Sequence, residues 1–240
     1  MKSKKIKEAT TTIEKHIPFS LPAMSWRFAS AVPDGATTVD DEKWMCMFSL
    51  VTGITDGETV CFYQKHTGCG GAGCYLGFKE PSEDGPTFLA EKEKLKKDVQ
   101  LGMAFYESIQ ARAPKKDYLV WQRVEDLEDD LEAETVNLWV TGHSLAGLVT
   151  LANYDRATND NVMIPFASGC QSIWTMPFKQ QLEDEPKAIV GGMDPAMRWC
   201  LPPEVVSFAV PASRLVEMAN NVTGSFLEEQ GWTDLFGEKA

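Results

Sequence analysis

Residues 135–154 read TVNLWVTGHSLAGLVTLANY, and this stretch contains the plainest change from strand to helix in the chain. Its first seven residues are rich in β-branched and aromatic side chains, which favour a β-strand. From His143 onward the apolar residues recur at helical spacing, which predicts a helix over residues 143–154. A strand followed directly by a helix is typical of folds that mix the two kinds of element.

The same compositions recur on both sides of this stretch. Six further strands are predicted at residues 25–32, 59–64, 117–124, 161–166, 187–191 and 204–210. Further helices are predicted near residues 41–52, 87–112, 172–182 and 212–221, and a surface helix at the amino terminus. The acidic residues 123–134 are expected to form a solvated helix or a connector. Because helices alternate with strands, we expect an α/β or α+β fold with a mixed sheet and flanking helices.

Two segments of the chain resemble each other. Leu50-Val51-Thr52 leads through a predicted strand to Thr67-Gly68-Cys69, and Leu148-Val149-Thr150 leads in the same way to Ser168-Gly169-Cys170. The match predicts two related halves, each a β-α-β-Cys unit. If the halves pack about a pseudo-twofold axis, the turns at Cys69 and Cys170 face one shared site.

The predicted domain organisation follows from this repeat. Residues 1–24 are expected to form an N-terminal helix or arm, and residues 25–240 a single globular domain. The two related halves occupy residues 25–124 and 135–223 of that domain. A chain of 240 residues is long enough for one such domain with a sizeable core.

Charge and composition exclude several classes of partner. The chain has 35 acidic and 23 basic residues, and its net charge of −12 would repel nucleic-acid phosphates and anionic lipids. We find neither an apolar run long enough for a membrane span nor the apolar stretch of a secretion signal, so we expect a cytoplasmic protein that binds neither nucleic acid nor membrane. Its six cysteines are then expected to be thiols or ligands rather than disulfides.

Two motifs suggest enzymes and are discounted. Residues 142–147, GHSLAG, resemble the strand-to-helix turn that carries the nucleophile of α/β-hydrolases. That fold needs a histidine after the serine, yet the histidines are His16, His66 and His143, and none follows Ser144. Residues 68–73, GCGGAG, match a dinucleotide-binding pattern, but the helix that follows is too short to direct its N–H groups at a pyrophosphate.

Three stretches carry a family resemblance. They are HTGCGGAGCYLGF at residues 66–78, PFASGCQSI at 165–173 and GMDPAMR at 192–198, the last leading into residues 205–211. On these stretches most of the chain resembles domain of unknown function 169, a family of uncharacterised prokaryotic proteins. The resemblance implies a cytoplasmic protein of unassigned activity, and it supports the location of a site without naming a reaction.

The glycines, cysteines and charged residues of these stretches are the candidate binding residues. They are Cys69, Cys170, Gly68, Gly70, Gly71, Gly169, Asp194 and Arg198. Glycines let a backbone approach a ligand closely and offer N–H donors. We therefore expect a cofactor or small-molecule ligand where the Cys69 turn, the Cys170 turn and residues 194–198 meet, with its identity open.

The first hypothesis for this site is a metal centre. Thiolates are soft ligands suited to zinc and to iron–sulfur clusters. The candidate ligands are Cys69, Cys74, Cys170 and Cys46. Their sequence spacing matches neither a zinc pair nor a ferredoxin, so folding would have to bring them together.

The second hypothesis is an organic or anionic ligand without metal. Arg198 would then offer a bidentate charge to a carboxylate or phosphate, and Asp194 would orient it. The alternative for this pair is a structural ion pair at helical spacing, which would leave no charge for a ligand.

The third hypothesis is an enzyme with a reactive cysteine. Cys69 or Cys170 would be the nucleophile, activated by backbone N–H dipoles, and His66 would be the nearby base. A further alternative makes all six thiols small buried hydrophobes, which suits Cys61 and Cys200 best.

Overall fold

The computed structural model describes residues 1–39, 43–108 and 111–236. Within these ranges one sheet contains the strands β1 (Leu21–Ala29), β2 (Thr37–Thr38), β3 (Val60–Phe62), β4 (Tyr118–Arg123), β5 (Thr135–Val140), β6 (Val162–Met163), β7 (Ala188–Gly191) and β8 (Val206–Pro211). The α-helices are α1 (Ser3–Glu14), α2 (Val51–Thr55), α3 (Gly70–Tyr75), α4 (Gly85–Thr87), α5 (Val99–Ser108), α6 (Gly142–Asn153), α7 (Met176–Gln180), α8 (Ala212–Asn220) and α9 (Gln230–Phe236).

Short 3₁₀ and π segments extend or replace several of these helices. The 3₁₀ segments are Met47–Leu50, Arg198–Cys200 and Phe226–Glu228, and the π segments are Phe88–Lys92 and Gln171–Thr175. Three of them are continuous with α-helices: Met47–Leu50 leads into α2, Phe88–Lys92 follows α4, and Gln171–Thr175 leads into α7.

The predicted mixed α/β architecture is confirmed. Each of the seven predicted strands has a counterpart, while the two-residue β2 was not predicted. The helix predicted at 143–154 is α6, and the one at 212–221 is α8. The prediction at 41–52 begins outside the described residues and corresponds to Met47–Leu50 followed by α2. The acidic residues 124–134 form turns and a single bridge, so they are a connector.

The single helix predicted over residues 87–112 is wrong, although Ile109 itself lies outside the described residues. The chain instead forms α4, the π segment Phe88–Lys92 and then a reversal at Lys94, whose φ of 58° is left-handed. After the reversal α5 packs back against α4. Gly102 permits this approach, because a Cβ there would lie 2.7 Å from the carbonyl oxygen of Pro86.

The strand order is symmetric about the centre of the sheet. It runs β2-β3-β4-β1-β5-β8-β7-β6, so each half has the same order outward from the central pair β1 and β5. The directions match as well, because the outermost pair of each half is parallel and the other pairs are antiparallel. Strands β1, β2, β3 and β4 therefore correspond to β5, β6, β7 and β8.

Both faces of the sheet are covered. On one face α1, α6 and α8 pack on apolar side chains of the second half, including Leu138 and Phe208. On the other face, aromatic residues such as Trp26 and Trp121 pack against α2, α3 and α7 and the short helical segments beside them. Helix α1 is part of the first layer, since Ile6 and Ile13 are fully buried. No helix within the described ranges has the length and apolar character needed to cross a membrane.

Candidate functional site

Segments of both halves of the chain line a cavity of about 430 Å³, which we call the central cavity. Residues of the Cys69 turn, the Cys170 turn and the segment after β7 all line it. Eight of the predicted site residues are among them: Cys46, Cys69, Gly70, Gly71, Cys74, Gly169, Cys170 and Asp194. The structure thus brings the two cysteine turns to one site.

Two predicted site residues lie outside the lining. Gly68 has a φ of 81°, and its carbonyl accepts a hydrogen bond of 3.1 Å from the backbone N–H of Met45. A Cβ there would also lie only 3.0 Å from the Met45 side chain. Gly68 therefore holds the Cys69 turn against the segment before Cys46 and has a structural role.

Arg198 is also structural, which corrects its predicted role as an anion receptor. Its guanidinium donates to four backbone carbonyls, those of Gly192 and Val205 at 3.2 and 2.8 Å and those of Pro202 and Pro203 at 3.2 and 2.6 Å. Asp194 instead accepts a hydrogen bond of 2.9 Å from the backbone N–H of Ala196. The predicted pairing of Asp194 with Arg198, whether orienting or structural, is therefore wrong.

The Cys170 turn is positioned from the centre of the sheet. Asn137 in β5 accepts a hydrogen bond of 2.8 Å from the Trp26 indole, and it donates one of 2.9 Å to the carbonyl of Ile173. Because Asn137 is fully buried, the π segment after Cys170 is fixed to the two central strands. Gly169 completes the packing, since a Cβ there would lie 2.4 Å from the ring of Phe48.

The Cys69 turn leads directly into a short helix. Cys69 has an extended backbone and precedes α3, and its Sγ accepts a hydrogen bond of 3.2 Å from the backbone N–H of Ala72. The next residue, Gly70, is exposed, and a Cβ there would meet no atom within 4 Å. Gly70 therefore borders open space in the mouth of the cavity.

The strand order pairs the cavity-lining residues of the two halves differently from the short sequence repeat. Cys170 follows β6, whose counterpart is β2, and after β2 the cysteine that begins a helical segment is Cys46. Cys69 follows β3, and the equivalent place after β7 holds Asp194. The short sequence match pairs Cys69 with Cys170 because the strings are alike, whereas the topology pairs Cys46 with Cys170. Both pairs lie at the central cavity.

All six cysteines are free thiols. Burial raises the pKa of the Cys170 thiol well above its usual value, and the nearby Cys69 and Cys46 thiols raise it further. Burial likewise raises the pKa values of Cys46 and Cys74. Cys170, Cys46 and Cys74 are therefore protonated at neutral pH, which disfavours Cys170 as a nucleophile.

The cysteines do not form a ligand cluster for a metal. Among the described residues, no three His, Cys, Asp or Glu side chains are grouped so that they would hold a metal ion. The prediction of Cys69, Cys74, Cys170 and Cys46 as a four-thiolate zinc or iron–sulfur set is therefore not supported by their placement. They line the same cavity without converging on one point.

The structure also places residues in the cavity wall that the sequence did not indicate. Tyr75, Tyr106 and Glu93 line it, together with Phe88 and the largely exposed Trp44. Glu93 lines the cavity at helical spacing from Gly85 and Leu89, whereas Tyr106 is brought back by the reversal at Lys94, which the prediction of one long helix did not include. Trp44 is 74% exposed.

Ser144 of the discounted GHSLAG motif and His66, the predicted base for Cys69, both make structural contacts. The hydroxyl of Ser144 donates a hydrogen bond of 2.6 Å to the carbonyl of Pro18, and Ser144 is buried at the start of α6. His66 is outside the cavity lining, and its Nδ1 donates to the carbonyl of Val39 at 2.7 Å while its ring stacks on Tyr63. His66 is therefore not placed to act as a base for Cys69.

Comparison with known proteins gives one match. The model of the family DUF169, described as uncharacterised ArCR, matches residues 19–221. No curated protein and no solved structure matches the chain. The matched range begins before β1 and ends after α8, so it contains the whole sheet and every residue of the central cavity. The chain belongs to the DUF169 family.

Proposed function

We propose that this protein binds a small organic molecule in the central cavity. The observation that supports the proposal is the convergence of four separate segments on one space, those at Cys46, Cys69, Cys170 and Asp194. These segments come from both halves and follow equivalent strands. Ligand sites are commonly found where two structural units meet.

The size and chemistry of the cavity suit such a ligand. Sites for small organic molecules have volumes of roughly 300–1,000 Å³ and mostly apolar walls with a few polar groups. The central cavity has a volume of about 430 Å³, and its walls include Phe48, Leu89 and Met197. Tyr75 and Ser168 supply hydroxyl groups that would orient a ligand.

A blocking substitution tests the proposal. Gly70 and Gly142 each begin a helix, each is exposed, and an added Cβ meets nothing within 4 Å at either position. Only Gly70 borders the central cavity. Ligand-observed NMR with a fragment library should give compounds that bind the wild-type protein and the control Gly142→Trp. The same compounds should lose binding to Gly70→Trp.

Two outcomes would contradict the proposal. Either no fragment binds the wild-type protein, or the bound fragments are unaffected by Gly70→Trp. Metal analysis of protein purified without oxygen is the companion measurement. Stoichiometric iron or zinc that is lost in both Cys69→Ser and Cys170→Ser would show that the cavity holds a metal centre and not an organic ligand.

A second candidate function is covalent chemistry at Cys69. The Ala72 N–H that reaches its Sγ at 3.2 Å would stabilise a thiolate, and the residue is half-buried at the cavity rather than fully buried. Such a thiol would attack an electrophilic ligand, with a base other than His66. Selective alkylation of Cys69 tests this candidate and is described among the predictions below.

A further inference from the structure

The charged side chains that line the central cavity are all acidic. Asp84, Glu93 and Asp194 line it, and its described lining contains no Lys, Arg or His side chain. The remaining lining residues are thiols, hydroxyls, aromatic rings, aliphatic side chains and glycines. The wall therefore offers negative charge to a ligand and no positive charge.

Arg198, the arginine nearest in sequence to Asp194, adds no positive charge to the cavity lining. Arg198 follows Asp194 by four residues, but its donors are occupied by the carbonyls of Gly192, Pro202, Pro203 and Val205. Arg198 is also outside the cavity lining. The cavity consequently lacks the receptor that a carboxylate or phosphate would need.

Two of the three carboxyl groups are withdrawn from water. Asp194 is 7% exposed and receives backbone N–H donors but no cation. Glu93, which follows the π segment, also lines the cavity and is half-buried. Burial raises the pKa of both groups, and the charge of Asp194 raises that of Glu93 further, so the two lie close enough to interact. A cation between them would relieve their repulsion and replace lost hydration.

Aromatic rings border the same space. Trp44 and Phe88 are 74% and 53% exposed at the mouth, and Tyr106 lines the interior. The face of an aromatic ring attracts an ammonium group, and an apolar ligand body also packs against it. The aromatic rings and the carboxyl groups thus favour the same kind of ligand.

From this arrangement we infer that the ligand of the central cavity is an amine or quaternary ammonium compound with an apolar body. The inference rests on the proposed function and deepens it by naming the ligand's charge. It replaces the anionic ligand that Arg198 suggested in the sequence. The positive group lies between Glu93 and Asp194, and the apolar body lies against Trp44 and Phe88.

A charge-matched screen tests the inference. Each skeleton is presented as an amine, an alcohol and a carboxylate, with 2-phenylethylamine, 2-phenylethanol and 3-phenylpropionate as one set, and binding is measured by ligand-observed NMR and calorimetry. The amines should bind most tightly. Glu93→Gln should weaken amine binding about tenfold, because a partly desolvated charge pair is lost, and leave alcohols unchanged. The exposed Glu91→Gln, two residues earlier, is the matched control.

The outcomes separate the inference from the proposed function. If alcohols or carboxylates bind as tightly as amines and Gly70→Trp blocks them, the cavity is a ligand site and the inferred charge is wrong. Amine binding that persists in Glu93→Gln and in Asp194→Asn also overturns the inferred charge. If no compound in any set binds, both the inference and the proposed function are wrong.

Discussion

The hydroxyl of Ser168 donates a hydrogen bond of 3.0 Å to the phenol oxygen of Tyr75, and this bond joins the two halves of the chain within the central cavity. The carbonyl of Tyr75 also accepts a hydrogen bond of 2.6 Å from the hydroxyl of Thr175. Tyr75 is 4% exposed, and burial raises the pKa of its phenol, which stays neutral at physiological pH. One residue of α3 is thus bonded twice to the segment around Cys170.

This contact predicts a coupling between the two side chains. Ser168→Ala should lower the free energy of unfolding by about 1 kcal/mol, because it removes one hydrogen bond and leaves a buried phenol without its donor. In a double-mutant cycle with Tyr75→Phe, followed by urea unfolding, the two losses should be less than additive. Full additivity would show that the bond does not contribute. Ser82→Ala, at the exposed edge of the cavity, is the control.

The packing of Gly169 gives a second prediction. Gly169→Ala should destabilise the protein by about 2 kcal/mol, because its methyl group would overlap the buried ring of Phe48. Gly142→Ala, where a Cβ meets nothing within 4 Å, should not lower the melting temperature. Equal melting temperatures for the two variants would mean that Phe48 moves aside without cost.

Arg198 provides the third prediction. Arg198→Lys should lower the free energy of unfolding by about 2 kcal/mol, because an ammonium group cannot reproduce the planar set of bonds to four carbonyls. Fragment affinity, measured below the melting temperature, should be unchanged. If Arg198→Lys instead lost fragment binding and kept its stability, Arg198 would be a ligand-binding residue.

The cysteines should differ in reactivity. Alkylation with iodoacetamide at pH 7, followed by mass spectrometry over time, should modify Cys69 well before Cys170. The Sγ of Cys69 accepts an N–H donor and is half-buried, whereas Cys170 is buried with a raised pKa. Cys61, fully buried with its pKa raised to about 11, is an internal reference for slow reaction. Equal rates at all six thiols would exclude a specially reactive cysteine.

An ion pair far from the cavity predicts the pH dependence of stability. The guanidinium of Arg214 is almost fully buried and donates to Asp155 at 2.8 Å, which lowers the pKa of Asp155 to about 2. A carboxyl group whose folded pKa is depressed stabilises the protein above its unfolded pKa of about 3.9, and this contribution is lost as the pH falls towards 2.

Asp155→Asn should therefore destabilise the protein by about 2 kcal/mol at pH 7. This loss is smaller than for a fully buried ion pair, because Glu217 also contacts Arg214 at 2.9 Å. The difference from wild type should shrink between pH 4 and pH 2 in chemical denaturation. A difference that does not vary with pH would assign the loss to packing. Asp160→Asn, which breaks a surface ion pair between an exposed carboxylate and Lys187, should have a much smaller effect.

Local sequence patterns were enough to predict most of the elements and to single out the two turns that line the central cavity. Strands such as β5 and helices such as α6 follow from local periodicity, because burial of an apolar face imposes the period of the element. The turns at Cys69 and Cys170 stood out because glycines and polar residues surround both, and both line the central cavity. The family was also indicated by these short stretches, and the match over residues 19–221 confirms it.

Which side chains face one another could be seen only in the folded chain. The sequence suggested Arg198 as an anion-binding residue, yet backbone carbonyls four to seven residues away along the chain accept its hydrogen bonds. Tyr106 lies in a stretch predicted to be one continuous helix, and the reversal at Lys94, with the close approach at Gly102, brings it to the cavity. The equivalence of Cys46 with Cys170 likewise depends on strand order. These relations depend on loop conformation and on packing between separate segments, which local sequence patterns do not encode.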